Sequence, residues 1–210
     1  MLGERFVDAL TFSARLHRDH LRKGAGRIPY IAHLLSVAAL VIEDGGGEDE
    51  AIAALLHDAV EDRGGAAMAR QIADRFGPVV AQVVQECTDT DQEPKPPWLP
   101  RKLAFIQRVR TASPAGLRVC MADKLHNVRS TLWDMRSGTA DPFASFTAGR
   151  DGVVWYYRAL SDAFRGATLS SGTRLADEVE RCVAELEERT GVDGRRVDLS
   201  RLPPRALGPV

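Results

Sequence analysis

Residues 55–65 read LLHDAVEDRGG. The two leucines close an alanine- and leucine-rich run from Glu50 to Asp58, which reads as a central, mostly buried helix. Four ionisable side chains, His57, Asp58, Glu61 and Asp62, then fall within six positions. Burying unpaired charge is expensive. Either these groups lie on a solvated helix end, or a cation holds them together.

Working outward, helix signals dominate. Phe6, Ala9, Leu10, Ser13 and Leu16 keep helical spacing in the first segment, and Ile31 to Ile42 forms an apolar helix carrying His33. A helix after Gly64 and Gly65 runs to Phe76, and Pro78 suits the first turn of the next, which runs to about Thr88. TDTDQEPKPPWLP (88–100), with four prolines, reads as the main interior loop. Further helices are expected over Arg101 to Thr111, Pro114 to Met135, Val153 to Phe164 and Arg174 to Arg189. With no convincing strand pair or internal repeat, the fold class is all-α, a multi-helix bundle. The expected organisation is a single domain over residues 1–190 and a tail over 191–210, extended or partly disordered.

Composition narrows the function classes. A formal net charge of −1 provides no global field for nucleic acid or an anionic membrane, so neither is an expected partner. No apolar run approaches the ~18 residues of a membrane span, and MLGERFVDALTFSARLH (1–17) lacks the form of a signal peptide. Cys87, Cys120 and Cys182 are odd in number and lack ligand-like spacing, so they read as thiols in a reducing cytoplasm.

Two histidines and two aspartates form an ordered set. His33 sits on an apolar helix where a histidine needs a reason, and Asp123 is the acid in VCMADKLHN (119–127). Taken singly, each reads equally well as a hydrogen-bonded core histidine or a surface aspartate. Together with His57 and Asp58 they offer mixed nitrogen and oxygen ligation, which suits Mn²⁺, Fe²⁺ or Zn²⁺ better than Ca²⁺. Glu61 and Asp62 follow His57 and Asp58 by one helical turn and so can face the same cavity.

The order His33, His57–Asp58, Asp123 resembles the HD superfamily of metal-dependent phosphohydrolases. The words RKGAGRIPYIAH, ALLHDAVED, FGPVVAQVVQECTD and ADKLHN are similar to the hydrolase domain of the RelA/SpoT family, especially its small stand-alone alarmone hydrolases. That resemblance implies a compact helical domain that binds Mn²⁺ and removes the 3′-pyrophosphate of guanosine tetra- or pentaphosphate. It implies His33, His57, Asp58 and Asp123 as metal ligands and Glu61 and Asp62 as the catalytic acidic pair. It also implies nucleotide contacts from Arg22, Lys23, Lys124, Asn127, Arg129 and an aromatic at Tyr156 or Tyr157, with Arg101 and Lys102 as weaker candidates for the outer phosphates. His126 is expected to point away from the metal shell. The chain ends before a synthetase domain would fit, so degradation without synthesis is expected, and an oligomer is possible. Two alternatives stay open: another nucleotide substrate (an adenosine alarmone or the 2′-phosphate of NADPH), or a catalytically silent nucleotide-binding module.

Overall fold

The computed structural model describes residues 1–22, 27–92, 94–138, 141–167 and 174–208. Among them the helices are α1 (Glu4–Leu16), α2 (Ile31–Glu43), α3 (Glu48–Leu56), α4 (Ala59–Arg63), α5 (Gly65–Phe76), α6 (Pro78–Cys87), α7 (Trp98–Val109), α8 (Pro114–Ser137), α9 (Gly149–Ala167), α10 (Arg174–Thr190) and α11 (Pro204–Leu207). No strand occurs among the described residues beyond an isolated bridge between Leu21 and Pro29. The all-α reading holds, and no helix is long and apolar enough to cross a membrane.

The centre is α3. Ala51 to Leu56 are each 0 % exposed, because a helix apolar on all sides is stable only when neighbours cover every face. Those neighbours are α1, α2, α6 and α8. Helix α8, 24 residues and about 36 Å long, supplies the longest wall. Ser113 caps its start by accepting a hydrogen bond from the Gly116 amide at 3.0 Å, with Pro114 in the first turn where its missing N–H costs nothing. Arg158 on α9 is 3 % exposed and binds Glu180 at 2.8 Å and Glu187 at 2.5 Å, tying α9 to α10.

Three expectations change. The helix expected from Arg101 begins at Trp98, since Pro100 sits in a first turn that needs no donor from it. The segment after Gly64 is preceded by a separate short helix, α4. The tail, expected extended or partly disordered, is folded through residue 208: two 3₁₀ turns (Gly194–Arg196 and Leu199–Arg201) and α11 bring Leu202 and Ala206 into a small apolar cluster with Ala148. Burial of these two side chains contributes to offsetting the chain entropy lost as the tail orders.

Candidate metal centre and its cleft

The helical run of α3 breaks at His57–Asp58 and resumes as α4, so the two side chains leave the core at the interruption. His57 keeps its Nδ1 2.8 Å from the Ala54 carbonyl, which accepts that N–H and leaves Nε2 free as a donor to an ion. α2 brings His33, and α8 brings Asp123.

These residues converge. His33 Nε2 lies 3.3 Å from His57 Nε2, 3.5 Å from Asp58 Oδ2 and 3.3 Å from Asp123 Oδ1. His57 Nε2 lies 3.1 Å from Asp58 Oδ2 and 3.6 Å from Asp123 Oδ1. Two ligands each about 2.1 Å from one ion, at angles between tetrahedral and octahedral, stand about 3.0–3.4 Å apart. His33, His57 and Asp58 each offer a donor atom within 4.8 Å of the others, a spacing that fits a divalent ion. Asp123 Oδ1 adds contacts to both imidazole nitrogens, and two imidazoles with two carboxylates suit such an ion in chemistry. His33, His57 and Asp123 are buried at 1 %, 1 % and 5 % exposure, and Asp58 is partly open to the cleft.

The charge balance also calls for a cation. Burial opposes the charge on His57, but Asp58 and Asp123 outweigh it and raise its pKa well above the ordinary value. Burial likewise opposes ionised Asp58 and Asp123, yet His57 and His33, with Lys124 beside Asp123, hold both carboxyls well below the usual range. Without an ion, the proton on His57 is the positive charge between the two acids. A metal must displace it, so divalent-ion affinity is expected to weaken as pH falls, by about tenfold per pH unit for one competing proton. Titration calorimetry of Mn²⁺ in buffers of different ionisation heat should show proton release; pH-independent affinity would contradict this charge balance.

A second layer orients these candidate ligands. Tyr30 Oη donates to Asp58 Oδ2 at 2.5 Å, Asn127 Nδ2 donates to Asp123 Oδ1 at 2.5 Å, and Lys124 Nζ lies 2.6 Å from Asp123 Oδ2. His33 Nδ1 meets His126 Nδ1 at 2.8 Å. Burial pushes the His126 pKa down to about 4, so that ring is neutral and can accept the His33 Nδ1 proton, leaving His33 Nε2 for the centre. His126, expected to point away from the metal shell, instead turns its ring to His33 and orients that candidate ligand, which the sequence reading missed. Asp123 and His126 are three residues apart on α8 and share a face, a spacing visible in the sequence. Replacing His126 by alanine is expected to weaken metal binding or turnover about 10–100-fold; metal titration checks it.

The centre lies beside a cleft of about 560 Å³. Glu61 and Asp62 line it, with Glu61 Oε1 3.0 Å from Lys95 Nζ. Burial first, then Asp58 and Glu61, push the Asp62 carboxyl up to about 6 although the residue as a whole is exposed. Arg22, Lys124 and Asn127 are in the lining, and Arg22 Nη2 donates to Asn127 Oδ1 at 3.0 Å. Lys102 bonds Asp89 at 2.8 Å, Arg101 pairs with the same carboxylate, and both reach the cleft. Tyr156 and Tyr157 both face it. Burial drives both phenols up, Tyr157 to about 12. Trp98 stands edge-on to Tyr156 at 5.9 Å, and Lys102 Nζ lies 4.8 Å from the Tyr156 ring centre.

One expected contact does not belong here. Arg129 is outside the cleft, paired with Glu178 on α10 at 3.1 Å. Six residues beyond Asp123, it projects about 120° away around α8. Lys23 lies outside the described residues. Lys95, Trp98 and Tyr30 were missed, because their positions depend on loops with no periodic signal. A larger hollow of about 990 Å³ by the tail has none of the metal donors in its wall, and its arginines are offset by aspartates.

Residues 9–154 match the family model described as the HD domain, so the chain belongs to the HD-domain family, a metal-dependent phosphohydrolase fold. Within that family it is similar to the MESH1 proteins. It is 36 % identical to guanosine-3′,5′-bis(diphosphate) 3′-pyrophosphohydrolase MESH1 of Homo sapiens over 127 residues, 60 % of this chain and 68 % of that protein. It is 30 % identical to the Drosophila melanogaster protein of the same name over 179 residues, covering 84 % and 93 %. A metazoan SpoT orthologue that hydrolyses ppGpp shares the fold with a TM-score of 0.70 at 24 % identity, over 92 % of this chain and 99 % of that one.

Proposed function

We propose that this chain hydrolyses the 3′-pyrophosphate of guanosine tetra- and pentaphosphate, giving GDP or GTP and pyrophosphate. The observation that carries the reading is the convergence of Asp58 and Asp123 on His33 and His57, through contacts of 3.1–3.6 Å, beside a cleft that Glu61 and Asp62 line, in a chain similar to enzymes of that activity. We assign Mn²⁺ as the ion and residues 1–190 as the catalytic unit, working in a reducing cytoplasm that fits three free cysteines. A divalent ion at these four ligands supplies a Lewis acid and an acidified water.

The chain's own groups account for the rest. Glu61, held by Lys95, accepts the proton of the attacking water. Asp62, raised to about 6, returns a proton to the ribose 3′ oxygen as the P–O3′ bond breaks, so the water oxygen leaves on pyrophosphate. Arg22, Lys124, Arg101 and Lys102 offset phosphate charge that the near-neutral whole does not. Trp98 and Tyr156 offer aromatic faces for the nucleoside.

The test is a side-by-side panel with Mn²⁺: guanosine tetraphosphate, an adenosine alarmone and NADPH. Phosphate release, read as pyrophosphate from the guanosine and adenosine compounds and as orthophosphate from NADPH, is expected to be greatest from the guanosine compound. Release from another member alone, or none, overturns the reading.

A further inference from the structure

A second group of metal-type donors lies beside the first and is unused by the hydrolytic scheme apart from one shared carboxylate. His17 follows the last turn of α1, His20 lies in the turn after it, and Asp62 comes from α4. One ring nitrogen of each histidine and a carboxylate oxygen of Asp62 lie within 4.8 Å of one another. His17 Nδ1 is 3.2 Å from His20 Nδ1. That spacing nearly equals the 3.3 Å between His33 and His57, and it suits two imidazoles on one tetrahedral ion, about 3.3–3.4 Å apart at the usual bond lengths.

A shared proton or a shared ion can each satisfy the 3.2 Å contact through the two Nδ1 atoms. His17 is 2 % exposed, and its Nε2 has no hydrogen-bond partner among the described residues. Burial also pushes the His17 pKa down to about 4, so the ring is neutral near pH 7 and keeps a lone pair to give. The Tyr30 ring stacks against it at 5.2 Å and holds its plane.

We propose that His17, His20 and Asp62 form a second cation site, selective for a borderline transition ion of the Zn²⁺ class. Two nitrogens and one carboxylate favour Zn²⁺ over Mn²⁺ in the general affinity order, and a hard ion such as Mg²⁺ or Ca²⁺ is disfavoured. Arg63 stands near both rings and lowers both their pKa values against Asp58, which raises them, and the site itself holds a single carboxylate, so this is the weaker of the two sites. On the hydrolase reading, filling it withdraws Asp62 from proton handling. The site itself does not depend on that reading.

The test is a metal count on the whole chain, made without substrate, so the outcome of any hydrolysis assay leaves it untouched. The protein is dialysed against graded Zn²⁺ and bound zinc is counted by mass spectrometry, with calorimetry resolving the steps. Wild type should fill in two steps to two ions per chain. His20→Gln, a half-buried turn position whose replacement spares the core, should stop at one ion with the tighter step unchanged. His17→Gln should do the same if its circular dichroism matches wild type. One ion per wild-type chain at excess zinc, or a second ion surviving in His20→Gln, overturns the proposal.

Discussion

Exchanging Glu61 for glutamine is expected to lower the turnover number for pyrophosphate release by about 10²–10⁴-fold, the usual worth of a positioned acid or base. Bound metal should stay at the wild-type level. Glutamine keeps the shape of the side chain but accepts no proton at neutral pH, and Glu61 is not among the four converging donors. Its contact is Lys95, and a partly exposed pair of this kind contributes little to stability, so melting should barely move. Steady-state kinetics together with metal analysis separates this outcome from loss of the centre. A variant that turns over normally removes Glu61 from the chemistry.

Asp123→Ala should act through a different cause and on more observables. The carboxylate, 5 % exposed, reaches the His33 and His57 nitrogens and also binds Lys124 and Asn127. Removing it takes away one of four ligands and leaves the Lys124 ammonium, with its side chain 15 % exposed, without its nearest countercharge. Breaking a buried pair from one side costs about 3–5 kcal/mol. Metal content should fall to near zero, hydrolysis should be lost, and chemical denaturation should show that destabilisation. Asp123→Asn separates the effects: it keeps the volume and part of the hydrogen bonding, so less stability is lost while the metal still is. Full metal occupancy in either variant contradicts the ligand assignment.

Most of the architecture was legible in the sequence because helix packing leaves a periodic trace. Phe6 to Leu16, Ile31 to Ile42 and Pro114 to Met135 sit inside α1, α2 and α8, and the all-apolar Ala51 to Leu56 marked the central helix. What was not legible lacks a period. The fold of the tail rests on Leu202 and Ala206 meeting Ala148, about fifty residues away, and no local pattern announces a long-range contact. At the site, the convergence of His33, His57, Asp58 and Asp123 came from order and residue type. The angular arithmetic on α8 had more to give: it places His126 and Asn127 with Asp123 and turns Arg129 towards Glu178. Lys95 over Glu61 and Tyr30 on Asp58 depend on loop geometry and required coordinates.

The most direct test of the central claim is the identity of the products. Mn²⁺-loaded protein is given guanosine tetraphosphate in ¹⁸O-labelled water, and the reaction is followed by phosphorus NMR and mass spectrometry. The expected result is GDP and pyrophosphate in equal amounts, with the label on pyrophosphate. Release of orthophosphate, label in the ribose hydroxyl, or no turnover with the metal bound would contradict it.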